Sequence, residues 1–401
     1  LIKRKKIIKK ISSILKKNKK HIAEEMVIDT GKSYFECCQE LFFCQKLWVE
    51  ASKVKKKFFL NQRKENNFTT IKEIKQPIGI VGLFVPFNNY MVVLSERLPF
   101  LLMSGSVAII KPNEFGVLGI IKFLDLIKKE VKDLPGIINL IIGEKDIGLN
   151  LVKSKAVSMI DFTGSKEVGK KISIEGAKQF KRVNLELGGK NPTIISNSAN
   201  LKKAAETIVK DFTGNAGQNC VAISRAYVND KIYEKFKKTL INNLKKMKFK
   251  QKSRNKKNTI NILNFLNKNK RYFKNKICFG SINDNYEKLQ PLVFEKINDN
   301  NFIYKEELFL PILILEKFSN MRNAIKKAND SEYGLSGSLW AKKNILNEKL
   351  LSEIDSGRLW LNGSIYQNFA YLRVGGLKAS GNGRVAGLDC IDNYCILDRK
   401  T

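Results

Sequence analysis

One thiol is set apart by its surroundings. In Gly214-Asn215-Ala216-Gly217-Gln218-Asn219-Cys220 a cysteine closes a glycine-containing loop, a setting in which a thiolate can act as a nucleophile. The usual activator of such a group is an imidazole delivered by folding. The chain has one histidine, His21, inside a lysine-rich N-terminal segment, so an Asp–His pair serving Cys220 is excluded. A base must be Glu, Asp, Lys or water. Glu186, thirty-four positions upstream, ends the apolar run Arg182–Leu185 just before Gly188-Gly189. A carboxylate at a strand exit is partly desolvated, which lifts its pKa toward the working range of a general base; the alternative is an ordinary ion pair with Lys190. Asn88 and Asn89 follow Val85-Pro86-Phe87, just past a strand signal. A side-chain amide there, with the Cys220 N–H, would make a two-donor oxyanion site, and the competing reading is an Asx turn.

These groups need a scaffold, and the apolar pattern describes one. Residues 1–60 read as helices, with Ile7, Ile8, Ile11, Ile14 and Leu15 at helical spacing, and are expected to form a supporting layer. Strand signals at 78–85, 106–112, 137–143 and 156–165 alternate with helix signals at 91–104 and 116–131. Apolar strands alternating with helices imply a parallel sheet covered on both faces, the architecture of a nucleotide domain. No GxGxxG follows any strand. Instead Asp161-Phe162-Thr163-Gly164-Ser165 leads from a strand into a helix, where Gly164, Ser165 and backbone N–H groups could hold a pyrophosphate. A second α/β unit follows from 189 to about 373. Within it 248–302 is rich in Asn and Lys with weak periodicity and reads as shortened or loosely packed.

Composition bounds the rest. At 401 residues, 43% hydrophobic and 9% aromatic, the chain is a folded protein of two or three domains. Its 73 basic and 38 acidic residues give a formal charge of +35, a balance that suggests nucleic acid or an anionic membrane. The lysines are interleaved with Asn and Ile and come with no recognised binding motif, so the charge reads as drift on solvated faces, with no specific nucleic acid. The seven cysteines are odd in number and lack metal-ligand spacing, which implies a reducing compartment, no metal site and a cytoplasmic location. No apolar run reaches the roughly 18 residues of a membrane span. The first residue is Leu, inside an amphipathic pattern, which predicts more chain upstream.

Eight segments in order, PIGIVGLFVPFNNY, AIIKPNE, FTGSKEVGK, LELGGKNP, GNAGQNC, EELFLP, ANDSEYGLSGSLW and GGLKASGNGR, resemble the motifs of the aldehyde dehydrogenase superfamily from about residue 1 to 400. The resemblance implies an α/β fold with two open parallel-sheet domains and a small β-ribbon for oligomerisation. It places an NAD-binding domain at 1–188, with 63–77 in the ribbon. A catalytic domain follows at 189–373, and 374–401 are a return segment and C-terminal oligomerisation strand. It implies oxidation of an aldehyde to a carboxylic acid through a thiohemiacetal and a thioester, with Cys220 as nucleophile, Asn88 rather than Asn89 in the oxyanion site and Glu186 as deacylation base. It sets Lys111 and Glu114 on the adenosine ribose, favouring NAD over NADP, and Glu307 and Phe309 on the nicotinamide half. It implies a homodimer or homotetramer.

The sequence also departs from the family pattern: Phe87 stands for Trp, Arg97 for Lys, Val385 for an acid and Leu310 for Gly. These carry the alternative expectation of a catalytically impaired relative with a binding or structural role. Side chains near an aldehyde are expected among Tyr90, Phe212, Asn219, Val221 and Tyr366, with Arg373 available to a distal carboxylate.

Overall fold

The structure is a computed structural model and describes residues 1–64, 70–132, 134–249, 252–283, 285, 289–365, 367 and 370–400. It divides into two units, Leu1–Glu186 with Phe369–Val374 and Gly383–Thr401, and Leu187–Asn368 with Gly375–Asn382.

The first unit begins with helices α1 (Ile2–Lys17), α2 (Lys19–Thr30) and α3 (Tyr34–Ala51). Their apolar stripes, Ile8, Ile11, Ile14 and Leu15 on α1 and Leu41, Cys44, Leu47 and Trp48 on α3, are buried in one core. Gly31 ends α2 at φ 68°, a left-handed position that suits glycine. Ser33 and Glu36 close a capping box at the start of α3. Strands β1 (Leu60–Lys64) and β2 (Thr70–Pro77) form an antiparallel pair.

The sheet follows as β3 (Ile80–Val85), helices α4 (Tyr90–Ser95) and α5 (Leu98–Ser104), β4 (Val107–Pro112), α6 (Leu118–Glu130), β5 (Ile138–Leu140), α7 (Lys145–Lys153), β6 (Met159–Thr163), α8 (Lys166–Ala177) and β7 (Arg182–Glu186). Its order is β5-β4-β3-β6-β7, parallel throughout. Growth from β3 runs one way to β4 and β5, then resumes on the other side with β6 and β7. The direction therefore reverses between β3 and β6, where open α/β sheets bind ligands beyond the strand carboxyl ends.

Two elements differ from the expectation. The helix read over 91–104 is two, broken at Glu96-Arg97, because Pro99 in the first turn of α5 supplies no N–H and Arg97 turns inward to a buried partner. The strand read over 137–143 shrinks to three residues, as an edge strand with β4 alone for a neighbour.

The second unit contains β8 (Asn191–Ile195), α9 (Leu201–Thr213), β9 (Ile223–Asn229), α10 (Tyr233–Lys246), α11 (Lys256–Lys268), α12 (Lys270–Phe273), β10 (Ile277–Phe279), β11 (Leu292–Glu295), α13 (Phe302–Lys305), β12 (Ile312–Phe318), α14 (Met321–Asn329), β13 (Tyr333–Gly334), β14 (Ser336–Trp340), α15 (Ile345–Ser352), β15 (Arg358–Leu361) and β16 (Leu377–Lys378). Its main sheet has the order β10-β11-β12-β9-β8-β14-β15, with only the β10 edge antiparallel. The described part of 248–302 is packed rather than loose: Ile262, Leu266, Phe273, Leu292 and Phe294 share one apolar cluster. Exposed Asn and Lys between these positions hide the period. The last strand, β17 (Cys395–Lys400), returns to the first unit and pairs antiparallel with β2.

Candidate active site

In the first unit the chain leaves β3 at Val85 and turns through Asn88 and Asn89 into α4. Asn89 adopts φ 43° as the residue before the helix, and its Oδ1 accepts from Lys32 Nζ at 2.5 Å. Lys32 is paired in turn with Glu40 at 2.7 Å, both side chains buried. Glu40 Oε1 accepts from the backbone N–H groups of Met91 and Val92 at 3.1 and 3.2 Å, capping α4 from α3. Asn89 is thereby committed to structure. Asn88 is buried to 7% exposure, and among the described residues nothing engages its amide. A parallel arrangement serves α6, where Asp29 Oδ2 accepts from Val117 and Leu118 N–H at 2.7 Å each. Its Oδ1 accepts from Tyr90 Oη at 3.0 Å. Tyr90 is thus sealed in the core rather than available to an aldehyde.

Beyond β4, Asn113 N–H donates to Val85 O at 2.8 Å and fixes the turn that carries Glu114. Glu114 is exposed. Lys111 is buried and donates to Pro112 O at 3.3 Å; burial lowers its pKa while Glu114 opposes that shift. Beyond β6, Ser165 caps α8, its Oγ accepting from Val168 N–H at 3.4 Å. The Gly164 N–H is not available to a ligand, since it donates to Glu186 O at 3.2 Å. The glycine is required by proximity, because a Cβ would meet Phe162 Cζ at 2.4 Å. The first turn of α8 at a switch point of the sheet, with a buried lysine one strand away, fits a dinucleotide pyrophosphate and ribose.

Glu186 ends β7. It is 6% exposed, and its Oε1 has no hydrogen-bond partner among the described residues. Burial pushes its carboxyl well above the ordinary range; Arg97 and Arg384 pull it down, and Glu96 and Asp161 push it further up. An oxygen held protonatable and uncommitted is what a general base for water requires.

In the second unit the Cys220 loop is a constrained object. Asn215, Ala216 and Gly217 take φ 51°, 55° and 72° in succession, a left-handed turn that costs a non-glycine residue roughly 1–2 kcal/mol. A Cβ on Gly217 would stand 2.2 Å from the Leu310 carbonyl carbon. Side chains secure the rest of the loop. Asn191, first in β8, donates from Nδ2 to Cys220 O and Ala222 O at 2.8 Å each and accepts on Oδ1 from Ser336 N–H at 3.0 Å. Asp211 on α9 accepts from Ile223 N–H at 2.9 Å. The Gln218 carboxamide accepts from Arg254 N–H at 2.8 Å and donates to Asn215 O at 3.0 Å. Cys220 itself is half-buried.

Glu307 Oε1 accepts from Gly189 N–H at 3.0 Å, and the carboxylate lies so close over Gly188 that a Cβ there would meet Oε2 at 2.3 Å. Phe309 is half-buried at φ 56°. Lys190 does not serve as a surface ion-pair partner: it is buried and donates to Ile303 O at 2.8 Å, and burial next to Arg225 lowers its pKa to about 7.

The departures from the family pattern are accommodated. Leu310 meets the Cys220 loop through its backbone and buries its side chain in an apolar cluster. Val385 bridges Val374 through two backbone bonds of 2.7 Å and packs in the core. Arg97 has its own buried acid, Asp161, at 2.9 Å. Phe212 is core, Arg373 pairs with Asp389 at 2.8 Å, and Tyr366 lies outside the described residues. Sequence reasoning missed Asp29, Glu40, Asp161, Asn191 and Asp211. The available signal was an acid or amide inside an apolar run, at a position the helix or strand period assigns to the core.

Among the described residues no helix is long and apolar enough to cross a membrane. All seven cysteines are free thiols.

The aldehyde dehydrogenase family model matches residues 1–398. The chain is 31% identical to retinaldehyde dehydrogenase 3 of Rattus norvegicus over 97% of its own length and 78% of that protein's. It superposes on an NAD-dependent aldehyde dehydrogenase from Sinorhizobium meliloti with TM-score 0.93 and 27% identity, covering 99% of this chain and 81% of the other. With betaine aldehyde dehydrogenase of Staphylococcus aureus in complex with NAD+ the TM-score is 0.92 at 27% identity, covering 99% and 82%. Motif order, two open parallel sheets and a thiol on a strained loop agree with these likenesses: the chain belongs to the aldehyde dehydrogenase family, as an NAD-dependent oxidoreductase that converts an aldehyde to a carboxylic acid.

Proposed function

We propose that Cys220, Asn88 and Glu186 carry this oxidation. The Cys220 thiolate adds to the carbonyl carbon of the aldehyde and forms a thiohemiacetal. The oxyanion accepts from the Asn88 amide and the Cys220 N–H. NAD, when bound, supplies the hydride acceptor. Collapse of the tetrahedral centre leaves a thioester on Cys220. Glu186 takes a proton from water, the hydroxide adds to the thioester, and the carboxylic acid departs as the thiolate is restored. The balance is aldehyde, NAD+ and water to carboxylic acid, NADH and a proton.

The observation that carries the assignment is the left-handed run Asn215-Ala216-Gly217, since backbone strain of this kind persists where a loop must present one side chain. Cofactor residues are assigned as Lys111 and Glu114 for the adenosine ribose, Ser165 and the Gly164 turn for the pyrophosphate, and Glu307 and Phe309 for the nicotinamide half. The segment 1–188 is accordingly the NAD-binding domain and 189–373 the catalytic domain, with 374–401 as return segment and oligomerisation strand. A homodimer or homotetramer would form through the edge of the β1-β2-β17 sheet, and free thiols suit the cytoplasm.

Rapid mixing tests the mechanism. Cys220→Ala should give no NADH, even in the first turnover, with NAD affinity retained. Glu186→Gln should release up to one equivalent of NADH and then stall, with the acyl group found on Cys220 by mass spectrometry. Undiminished turnover in Glu186→Gln, or acylation of another cysteine, refutes the roles.

A further inference from the structure

Behind Glu186 the first unit buries a charge cluster to which the reaction assigns no role. Arg97, at the junction of α4 and α5, is 1% exposed, and Asp161, in the middle of β6, is fully buried. The guanidinium Nε donates to Asp161 Oδ1 at 2.9 Å. Its Nη1 donates to Val93 O at 3.0 Å and stands 3.6 Å from Glu96. Its Nη2 donates to Thr163 Oγ1 at 2.5 Å. Asp161 Oδ2 accepts from Tyr394 Oη at 2.7 Å and from Asn184 Nδ2 at 3.0 Å.

The strand register locates this cluster. Thr163 is the direct partner of Glu186 across β6 and β7, and Asn184 is the partner of Asp161. Arg97 is therefore anchored to the residue beside Glu186, yet among the described residues it makes no ion pair with Glu186. Without Asp161 the buried carboxylates left facing Arg97 are Glu96 and Glu186, and a bidentate pair with Glu186 would occupy the oxygens that must accept a proton from water.

We propose that Asp161 and Arg97 are positioning residues for Glu186. Asp161 takes up the guanidinium, so that Arg97 orders the end of β7 and lends positive potential without closing an ion pair on the base. This rests on the reading of Glu186 as the deacylation base. The groups facing Glu186 within the unit are Arg97, Glu96, Asp161 and Arg384. Tyr394 and Cys390 face Asp161 itself. Arg97 is the strongest of the opposing charges on Glu186 and Asp161 a weaker one of opposite sign. Their removal therefore acts in opposite directions.

The test is the acidic limb of acyl-enzyme hydrolysis, measured in single turnovers against pH. Asp161→Asn keeps the shape and removes the countercharge, so the limb should move down by about one pH unit. The double variant Arg97→Gln/Asp161→Asn removes both charges of the pair together and should move the limb up by a fraction of a unit. A merely structural role lowers the rate in both variants and moves the limb in neither, and that result overturns the proposal. Should Asp161→Asn fail to fold, the double variant decides alone, since an unmoved limb sinks the idea. Glu186→Gln, run alongside, separates the two readings. If it keeps hydrolysis and the limb, the base assignment fails. If it loses them while the other variants leave the limb in place, the base stands and the proposal falls.

Discussion

In the first unit the candidate residues follow the carboxyl ends of strands, Asn88 after β3, Lys111 and Glu114 at β4, Ser165 after β6 and Glu186 closing β7. In the second they precede the amino ends, Gly188-Gly189 before β8, Cys220 before β9, and Glu307 and Phe309 before β12. The difference is physical. A carboxyl end of a parallel strand leads into a helix N-terminus, which presents N–H donors and suits an anionic ligand. An amino end is reached from the carboxyl end of a helix, here α9, and offers no such array. The Cys220 loop is therefore held by side chains, Asn191, Asp211 and Gln218, that bind its carbonyls and N–H groups. In the first unit the loops themselves are fixed from outside the sheet, by Asp29 and Glu40 on the N-terminal helices.

The comparison can be broken most severely at Gly217. A Cβ there is forced against the Leu310 backbone at a left-handed position, so Gly217→Ala should displace Cys220 and lower kcat/KM at least about a hundredfold. NAD affinity by calorimetry should stay within about threefold, since the candidate residues for the adenosine ribose and pyrophosphate lie in the first unit and are untouched; a large loss would mean that the regions are not separable. Next is Glu40→Ala, which removes two backbone caps and strands buried Lys32. Chemical denaturation should show a loss of about 3–5 kcal/mol. Native-state labelling of Cys220 by iodoacetamide should proceed at the wild-type rate.

Asp211 sharpens the contrast through pH. Burial pushes its carboxyl up to about 7, above the ~3.9 of an unfolded aspartate. The folded chain thus binds the extra proton between those values, and stability is lost as pH rises from about 4 through about 7. Asp211→Asn should reduce the decline in unfolding free energy between pH 5 and pH 8 by about 1–3 kcal/mol, and equal slopes in mutant and wild type would contradict it. The smallest effect belongs to exposed Glu114. Glu114→Ser should narrow the preference for NAD over NADP by about fivefold, in a salt-dependent manner, as read from the two dissociation constants.

The fold was legible because parallel strands covered on both faces are written as apolar runs, and β3, β4 and β6 all are. Cys220 and Glu186 stand out in the sequence as candidates because of their local settings, a thiol closing a glycine-containing loop and a carboxylate at a strand exit. The resemblance chose Asn88 over Asn89, whereas what commits Asn89 to structure, Lys32, lies 57 positions away and leaves no local sign. The break at Arg97 had one local sign in Pro99, but the acid that draws Arg97 inward lies 64 positions downstream. Asp161 sits in a run that reads as an ordinary strand, and no period marks the cation it meets. The lysine-rich middle hid Phe265, Phe273 and Phe294, which pack ring to ring, because the exposed positions between them dominate the composition. The one local trace of such long-range pairing is an acid or amide inside an apolar run, and that trace does not name the partner.

The closure of the Arg97–Asp161 cluster by Tyr394, 233 positions downstream of the acid, has a consequence for synthesis. A ribosome adding about 5–20 residues per second delivers the ion pair roughly ten to fifty seconds before the hydroxyl that completes it. Throughout that interval the nascent sheet holds its charged pair without a lid, while the whole of the second unit emerges behind it. Delay or stalling late in translation therefore lengthens the time for which the buried pair of the first unit lacks the hydroxyl that Tyr394 supplies.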